Sequence, residues 1–465
     1  MKLLLFFALF ASAYASSISR SGSLDTLVNN LKEDAIAANG DVWAVLVAGS
    51  HDWYNYRHQA DISHAYQIVR SHGIPADHII TMMFDDIAYS PDNKWPGTIF
   101  NNQSYINDYL GVRIDYTKKD VTADNFIGVL KGTPMVAGKP VLKSTADDRV
   151  FVYFADHGGV GIIAFPDSNV LTASSLDGAL AYMHTNNMYS KLVFYVEACE
   201  SGSMFEGILT SDRNIFALTA SWANESSWGV DCYNSRLLPC LGDEFSVAWM
   251  ADSDSHDIFS MSVGTQADHV KATTIKSHVM RYGDLDIEKQ ILGRFQGDAP
   301  AGSYATDSDN AYQPSLSSGI RVPAWDAEVH YLKSARALAR SEEKAAAIDA
   351  RLAAIDVDSR RIDTLVEEVV DKIVRLHSED QLDLVWQNLF SAKKASLLDG
   401  DVRREGESIH IDCHHEVAMA FARDCVDVTK NTHALRFMRV LNNLCSLASS
   451  QEILAAFASS CTARI

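Results

Sequence analysis

Two apolar runs that end in reactive side chains restrict the fold of this chain more than any other feature. Arg149-Val-Phe-Val-Tyr-Phe-Ala155 leads into Asp156-His157-Gly158-Gly159. Lys191-Leu-Val-Phe-Tyr-Val-Glu197 leads into Ala198-Cys199-Glu200-Ser201-Gly202-Ser203. Continuous apolar runs of this length read as strands buried on both faces, as in a parallel sheet. In open parallel sheets, ligands bind at the carboxyl ends of the strands. A cysteine and a histidine delivered to one such edge suggest a thiol nucleophile with its base.

The neighbouring segments fit that sheet. Val42–Ala48 reads as a first buried strand, ending in a polar, aromatic loop from Gly49 to His58. A helix is expected over Ser23–Asn39, and another over Gln59–Ser71, stopped by Gly73 and Pro75. Ile79–Phe84 reads as a strand, Ala123–Lys131 and 174–188 as helices, and Ile215–Ala220 as a strand. Strands alternating with helices predict an α/β fold, a mostly parallel sheet flanked by helices. The loop after the first strand lacks the Gly-rich phosphate fingerprint, which disfavours a dinucleotide fold. From Ala324 the chain turns rich in Ala, Glu and Arg with helical spacing, so its C-terminal third is expected to be a separate all-α domain.

Bulk properties narrow the function. The 465 residues allow two or three domains, and 47% hydrophobic content means globular folding. A net charge of -20 disfavours nucleic acid as a partner. Met1-Lys2, the apolar Leu3–Phe10 and Ala13-Tyr-Ala15 form a secretory signal peptide pattern. That run is shorter than the roughly 20 residues needed to span a bilayer. No membrane span is expected elsewhere. Seven cysteines leave one without a partner if six pair. Cys232 and Cys240 lie close together in a loop-like stretch; Cys413, Cys425, Cys445 and Cys461 cluster near the C-terminus, where spacing alone allows three connectivities. Cys199 stands alone. Asn102-Gln-Ser104 and Asn224-Glu-Ser226 are N-glycosylation sequons.

A cysteine–histidine dyad needs few other parts. The imidazole of His157 takes the Cys199 proton and later protonates the leaving amine. The backbone N–H groups of Gly158 and Cys199 are the natural oxyanion donors.

The two strand-end motifs resemble the legumain (asparaginyl endopeptidase) family of cysteine proteases. So do Trp53-Tyr-Asn55-Tyr-Arg57-His58-Gln59-Ala-Asp61, Met82-Met-Phe-Asp85-Asp86-Ile87-Ala88-Tyr89-Ser90 and Leu241-Gly242-Asp243. The resemblance runs from about Val42 into the C-terminal domain. It implies a caspase-like fold, cleavage of peptides and proteins after asparagine, and a zymogen inhibited by its own C-terminal prodomain. It implies Cys199 as nucleophile, His157 as base and Asn55 as the residue that orients the imidazole. Arg57, His58, Glu197, Ser227 and Asp243 would form a pocket for the substrate carboxamide, with Arg57 donating and the carboxylates accepting. Such a pocket repels an ionised aspartate and accepts a protonated one, so cleavage after Asp is expected only at acidic pH. Asp156 is the residue that forms a cyclic imide in the family. The implied disulfides are Cys413–Cys445 and Cys425–Cys461, with Cys232–Cys240 resembling a bridge of some plant relatives. Cystatin-type inhibitors are implied partners, and no metal or cofactor is expected. The implied location is the secretory pathway, ending in a lysosome-like acidic compartment or outside the cell.

The expected boundaries are a signal peptide at 1–15, the peptidase domain at 16–288, a linker or domain end at 289–323, an activation peptide at 324–358 and the helical prodomain at 359–465. One departure from the family is visible. The family self-cleaves after an asparagine just past the peptidase domain, and here none occurs between Asn310 and Asn388. Asn310 and the aspartates at 326, 349, 356, 358 and 363 are the remaining candidates for self-cleavage. The main alternative activity is peptide ligation by the same dyad, in which an amine rather than water resolves the thioester. A fold-retaining inactive binding protein is disfavoured by the intact Cys199, His157 and Asn55.

Overall fold

The computed structural model describes residues 40–232, 234, 236–297, 319–377, 394, 409–461 and 465. The signal peptide, the helix expected at Ser23–Asn39, Asn310 with most of the linker, and 378–408 apart from Lys394 lie outside these residues.

The strands, in chain order, are β1 (Val42–Ala48), β2 (Ile79–Met82), β3 (Arg149–Ala155), β4 (Gly158–Gly159), β5 (Ile162–Phe165), β6 (Asn169–Thr172), β7 (Lys191–Glu197), β8 (Ile215–Thr219), β9 (Trp228–Val230), β10 (Gly242–Asp243), β11 (Met280–Gly283) and β12 (Val322–Pro323). Six of them form the central sheet in the order β11-β8-β7-β3-β1-β2. All neighbours are parallel except β11, which runs antiparallel to β8. The other strands form two small sheets, β4-β5-β6 and β10-β9-β12.

Alternate residues of each central strand feed two cores. Val42, Ala44, Leu46 and Ala48 face α1 (Tyr56–Ser71) and two later helices, while Trp43, Val45 and Val47 face α2 (Ala123–Leu130) and α3 (Ala173–Thr185). The later helices are α4 (Glu244–Ser255) and α5 (Val263–Thr273). In α1 the stripe Ile62, Ala65, Tyr66 and Val69 follows helical spacing and is buried against the sheet. Each large aliphatic side chain buried in this way contributes about 1.5–3 kcal/mol. Trp249 of α4 is fully buried, with its ring edge-on to Phe151, Tyr153 and Tyr195 of the central strands.

α1 begins three residues before the expected Gln59, so Arg57 and His58 sit in its first turn rather than in a loop. Tyr56 in this extra turn is buried with Ala60, Trp53, Ile87 and Leu241 in a separate cluster, and no Gly or Pro interrupts the segment. The second strand ends at Met82, short of Phe84. Trp228–Val230, Gly242–Asp243 and, at the end of the expected linker, Val322–Pro323 form the β10-β9-β12 sheet instead of loops.

The C-terminal region is helical: α6 (Ala327–Ala337), α7 (Glu342–Leu376), α8 (Ile411–Ala420), α9 (Met438–Cys445) and α10 (Ser450–Ser460). α7 starts at a Ser341 side-chain cap and runs unbroken through the expected boundary at 358/359. Its second half buries Ile362, Leu365, Val366, Val369, Val370 and Ile373 against α8–α10. A capping box between Ser449 and Glu452 starts α10. The disulfides are Cys232–Cys240, Cys413–Cys445 and Cys425–Cys461, and Cys199 is the free, buried thiol. No helix among the described residues is long and apolar enough to cross a membrane.

Candidate active site

β1, β3 and β7 are adjacent and parallel, so their carboxyl ends meet at one edge. The register pairs Ala155 with Glu197, and the Asp156 N–H continues it by donating to the Glu197 carbonyl at 3.0 Å. His157 and Cys199 therefore each follow that pair by two residues. Gly158 closes the approach: a Cβ there would lie 2.2 Å from the Cys199 carbonyl oxygen, which no side chain tolerates. Gly49, after β1, is held to the same rule by Asp156 and the Ala164 carbonyl.

Cys199 is completely buried, its Sγ 3.3 Å from Ser226 Oγ and 3.7 Å from Ser227 Oγ. His157 Nε2 lies 2.8 Å from Asn55 Oδ1, and Asn55 Nδ2 donates to the His51 carbonyl at 2.8 Å. With its amide nitrogen committed to His51, Asn55 offers only an acceptor to the ring. Nε2 therefore carries the proton, and Nδ1 keeps its lone pair. Nδ1 makes no hydrogen bond within the protein. Burial, then the charge of Glu200, pushes the Cys199 thiol up to about 12. Burial, then the Arg57 guanidinium, holds His157 well below the usual imidazole range. Under the C-terminal helices, burial favours the neutral form of both groups.

Beside them lies a buried polar pocket. Arg57 Nε donates to Asp243 Oδ1 at 2.9 Å, and His58 Nε2 stands 3.7 Å from Asp243 Oδ2. Glu197 Oε2 accepts from both the N–H and the hydroxyl of Ser246, each at 3.0 Å. Asp61 Oδ1 accepts from Asn101 Nδ2 at 2.6 Å and faces the Asp243 N–H at 3.4 Å. Burial pushes Asp61 and Glu197 well above the usual carboxylate range, and the neighbouring Asp243 adds to it. Asp243 is raised by burial and drawn back by Arg57. Several atoms of this group make no hydrogen bond within the protein: Arg57 Nη1 and Nη2, Asp61 Oδ2, Glu197 Oε1 and Asp243 Oδ2. Asp156 is buried with its carboxylate 3.0 Å from His58 Nδ1, and burial raises it well above the usual range.

The expected residues Asn55, Arg57, His58, Asp156, His157, Gly158, Glu197, Cys199, Ser227 and Asp243 thus meet at one strand-end edge. Sequence reasoning passed over Asp61, Ser226 and Ser246. Asp61 was within reach, because it follows Arg57 by four residues on α1 and so shares its face. The sequon residue Asn102 is on the surface side of its turn, with Oδ1 accepting from the Ser104 N–H at 2.9 Å. Asn224 is half-buried, two residues before Ser226 at the thiol.

The C-terminal helices cover this edge. Val160, Ile162 and Val170, on the small sheet that starts right after His157, share one core with Val417, Leu435 and Met438. Thr172 Oγ1 is 2.7 Å from His415 Nδ1, and Trp53 Nε1 donates to the Tyr331 hydroxyl at 3.2 Å. Burial raises Glu200, next to the thiol, well above the usual carboxylate range, and Arg439 and Arg436 of the C-terminal region draw it only part of the way back.

A lone buried thiol and an imidazole at one edge of a parallel sheet, closed by a helical C-terminal region, define a cysteine peptidase in its capped form. Comparison with known proteins gives the family. The model of the peptidase C13 family matches residues 42–298, and that of the legumain prodomain matches residues 366–461. The hemoglobinase of Schistosoma japonicum is 46% identical over 290 residues, 62% of this chain and 67% of that one. Legumain of Rattus norvegicus is 39% identical over 412 residues, 87% of this chain and 89% of its own. A solved caspase-1 from Spodoptera frugiperda matches more loosely, with a TM-score of 0.34 and 11% identity over 57% of this chain and 92% of its own. The chain belongs to the peptidase C13 (legumain) family: it is a cysteine endopeptidase carrying a C-terminal prodomain.

Proposed function

We propose that the enzyme hydrolyses peptide bonds on the carboxyl side of asparagine, with Cys199 as nucleophile and His157 as base. His157 Nδ1 takes the thiol proton as Sγ attacks the scissile carbonyl carbon. The N–H groups of Gly158 and Cys199 receive the oxyanion. Collapse breaks the C–N bond, and His157 returns the proton to the leaving amine. Water then cleaves the thioester, giving its proton to His157 and restoring the thiol. Asn55 keeps the imidazole in the tautomer this sequence needs.

One observation carries the specificity. The pocket atoms without partners are two guanidinium donors on Arg57 and one carboxyl oxygen each on Asp61, Glu197 and Asp243. An asparagine side chain offers the complement, one acceptor oxygen and an NH2 group with two donors. A site whose buried polar groups go unpaired rejects ligands that cannot satisfy them. An ionised aspartate brings a second set of acceptors against Glu197 and Asp243, whereas its protonated form offers a donor. Cleavage after Asp belongs to acidic pH. Three disulfides and the expected signal peptide support passage through an oxidising secretory route. Carboxyls that burial favours in their protonated form support an acidic working compartment.

The test uses matched peptides with Asn, Asp, Gln or Ala at the cleaved position, assayed on activated enzyme across pH. Cleavage after Asn at all working pH values, with Asp cut only on the acid side, is the expected pattern. Equal rates for Asn and Gln, or Asp cleavage undiminished at neutral pH, would overturn the pocket assignment. Adding a competing amine to the same reactions reports how much product arises by ligation.

A further inference from the structure

Away from the strand-end edge, three metal-binding side chains converge where α4 ends. Asp252 lies in the last turn of α4, His256 follows the helix, and His269 comes from α5, packed alongside. Asp252 Oδ1 is 3.0 Å from His256 Nδ1 and 2.7 Å from His269 Nδ1. Their ligand atoms all lie within 4.8 Å of one another. The two imidazole rings stand 5.3 Å apart, centre to centre, and are tilted by 40°.

The carboxylate is fixed from behind. Gln266 Nε2 faces Asp252 Oδ2 at 3.3 Å and donates to Ser253 Oγ at 2.8 Å. Gln266 Oε1 in turn accepts from the Tyr195 hydroxyl and from Gln296 Nε2, both at 2.9 Å. Gln266 and Gln296 are completely buried. This network leaves Oδ1 facing the two rings, and it is the kind of outer shell that orients metal ligands. Asp252 itself is buried, while the side chains of His256 and His269 are 50% and 44% exposed, so they can move and a solvated ion can reach them. Neighbouring charges are engaged elsewhere: Asp254 pairs with His64, and Asp268 with Arg281.

Two N–H donors on one carboxylate oxygen would also account for these distances. The ligand set, however, is that of a transition-metal site, with one carboxylate and two imidazoles from adjacent helices. Four-coordinate zinc, with bonds of about 2.0–2.1 Å, spaces its ligand atoms about 3.3 Å apart. Opening the present 2.7 and 3.0 Å contacts to that spacing takes a few tenths of an ångström in two half-exposed side chains, and frees His256 Nδ1 from the Asp252 carbonyl that it now meets at 3.0 Å. Imidazole nitrogen selects zinc over magnesium or calcium.

We propose that Asp252, His256 and His269 bind one Zn2+ ion, with water completing the coordination. The sequence reading expected no metal anywhere in the chain. The ion would clasp the end of α4 to α5. α4 starts immediately after Asp243 and carries Ser246, so the clasp lies on the helix that supports the polar pocket. The assignment of the site does not depend on the substrate reading above.

The test is calorimetric titration of full-length Cys199→Ala protein with Zn2+ at neutral pH, beside the same protein carrying His256→Ala or His269→Ala. Removing the thiol eliminates a competing zinc ligand, and the buried His58, Asp156 and His157 are common to all three proteins and cancel. The parent should bind one equivalent more than either variant, and Zn2+ should raise the thermal midpoint of the parent alone. Equal uptake and equal thermal shifts in all three would overturn the proposal. Co2+ gives a second readout on the same three proteins. A visible ligand-field band in the parent that Zn2+ displaces and that either histidine variant loses supports the site, and a spectrum that the substitutions leave unchanged counts against it.

Discussion

Asn55 holds His157 through one amide oxygen, and that contact selects which ring nitrogen is left for the thiol. Asn55→Ala should leave the fold intact and lower kcat about 10²-fold, the scale of losing orientation at a reacting centre, with KM little changed. Steady-state kinetics on an asparaginyl peptide separates the two; a change confined to KM would show that Asn55 acts through binding. Glu197 depends on Ser246 in a comparable way, since both donors to its Oε2 come from that residue. Ser246→Ala removes the hydroxyl but keeps the N–H, leaving a buried acceptor half-served. The expected cost is about 1–3 kcal/mol in urea unfolding. The sequons differ at this scale too. A glycan on Asn224 would crowd Ser226 and the thiol, so glycosidase treatment should release sugar from Asn102 and none from Asn224.

At the scale of elements, the central strands carry the site because their register does. β3 and β7 were legible in the sequence, since the continuous apolar runs Val150–Ala155 and Leu192–Val196 leave few other structures open to them. α4 was not. Its sequence Glu-Phe-Ser-Val-Ala-Trp-Met-Ala-Asp-Ser-Asp-Ser buries Ser246, Asp252 and Ser253 beside Phe245 and Trp249, which blurs any apolar stripe. β9, β10 and β12 are two or three residues long, too short for periodicity to register. The strand-end residues were readable from motif and position, whereas Ser226 and Ser246 reach the site only through tertiary folding. Trp249 joins α4 to three central strands, so Trp249→Ala should cost about 3–5 kcal/mol by denaturant unfolding. In the C-terminal region, Cys413–Cys445 and Cys425–Cys461 close loops of 32 and 36 residues. Loss of either bridge should destabilise that module by about 3–4 kcal/mol, read as an earlier calorimetric transition.

For the whole molecule, burial under the C-terminal helices has a measurable chemical signature. A thiol pushed up to about 12, against an ordinary 9.0, holds about a thousandfold less thiolate at a given pH. Iodoacetamide should therefore leave Cys199 unmodified in the intact chain and label it once the helices are removed. Acidity acts on the fold as well. Asp61, Asp156, Glu197 and Glu200 are raised in the folded state, so it binds more protons than the unfolded chain. Their contribution to stability is fully present in acid and is lost as pH rises through their folded values. His58 and His157, lowered by burial, work in the opposite direction below their ordinary 6.5. Above 6.5 His64, whose burial is outweighed by its pairing with Asp254 so that it is raised to about 9, acts in the same sense as the carboxyls, so the thermal midpoint of the Cys199→Ala chain should fall from there toward alkaline pH. A midpoint that rises over that range would contradict these protonation states. The unbroken course of α7 carries one more consequence. Asp349, Asp356, Asp358 and Asp363 lie within its coils, while Leu338–Ser341 forms the short break before it. Proteases nick exposed, irregular backbone in preference to helix. A cut at that break would leave a cap that keeps its own stem, severed but still folded and still seated. Scission and unmasking would then be two separate events, the second a matter of letting go rather than of being digested.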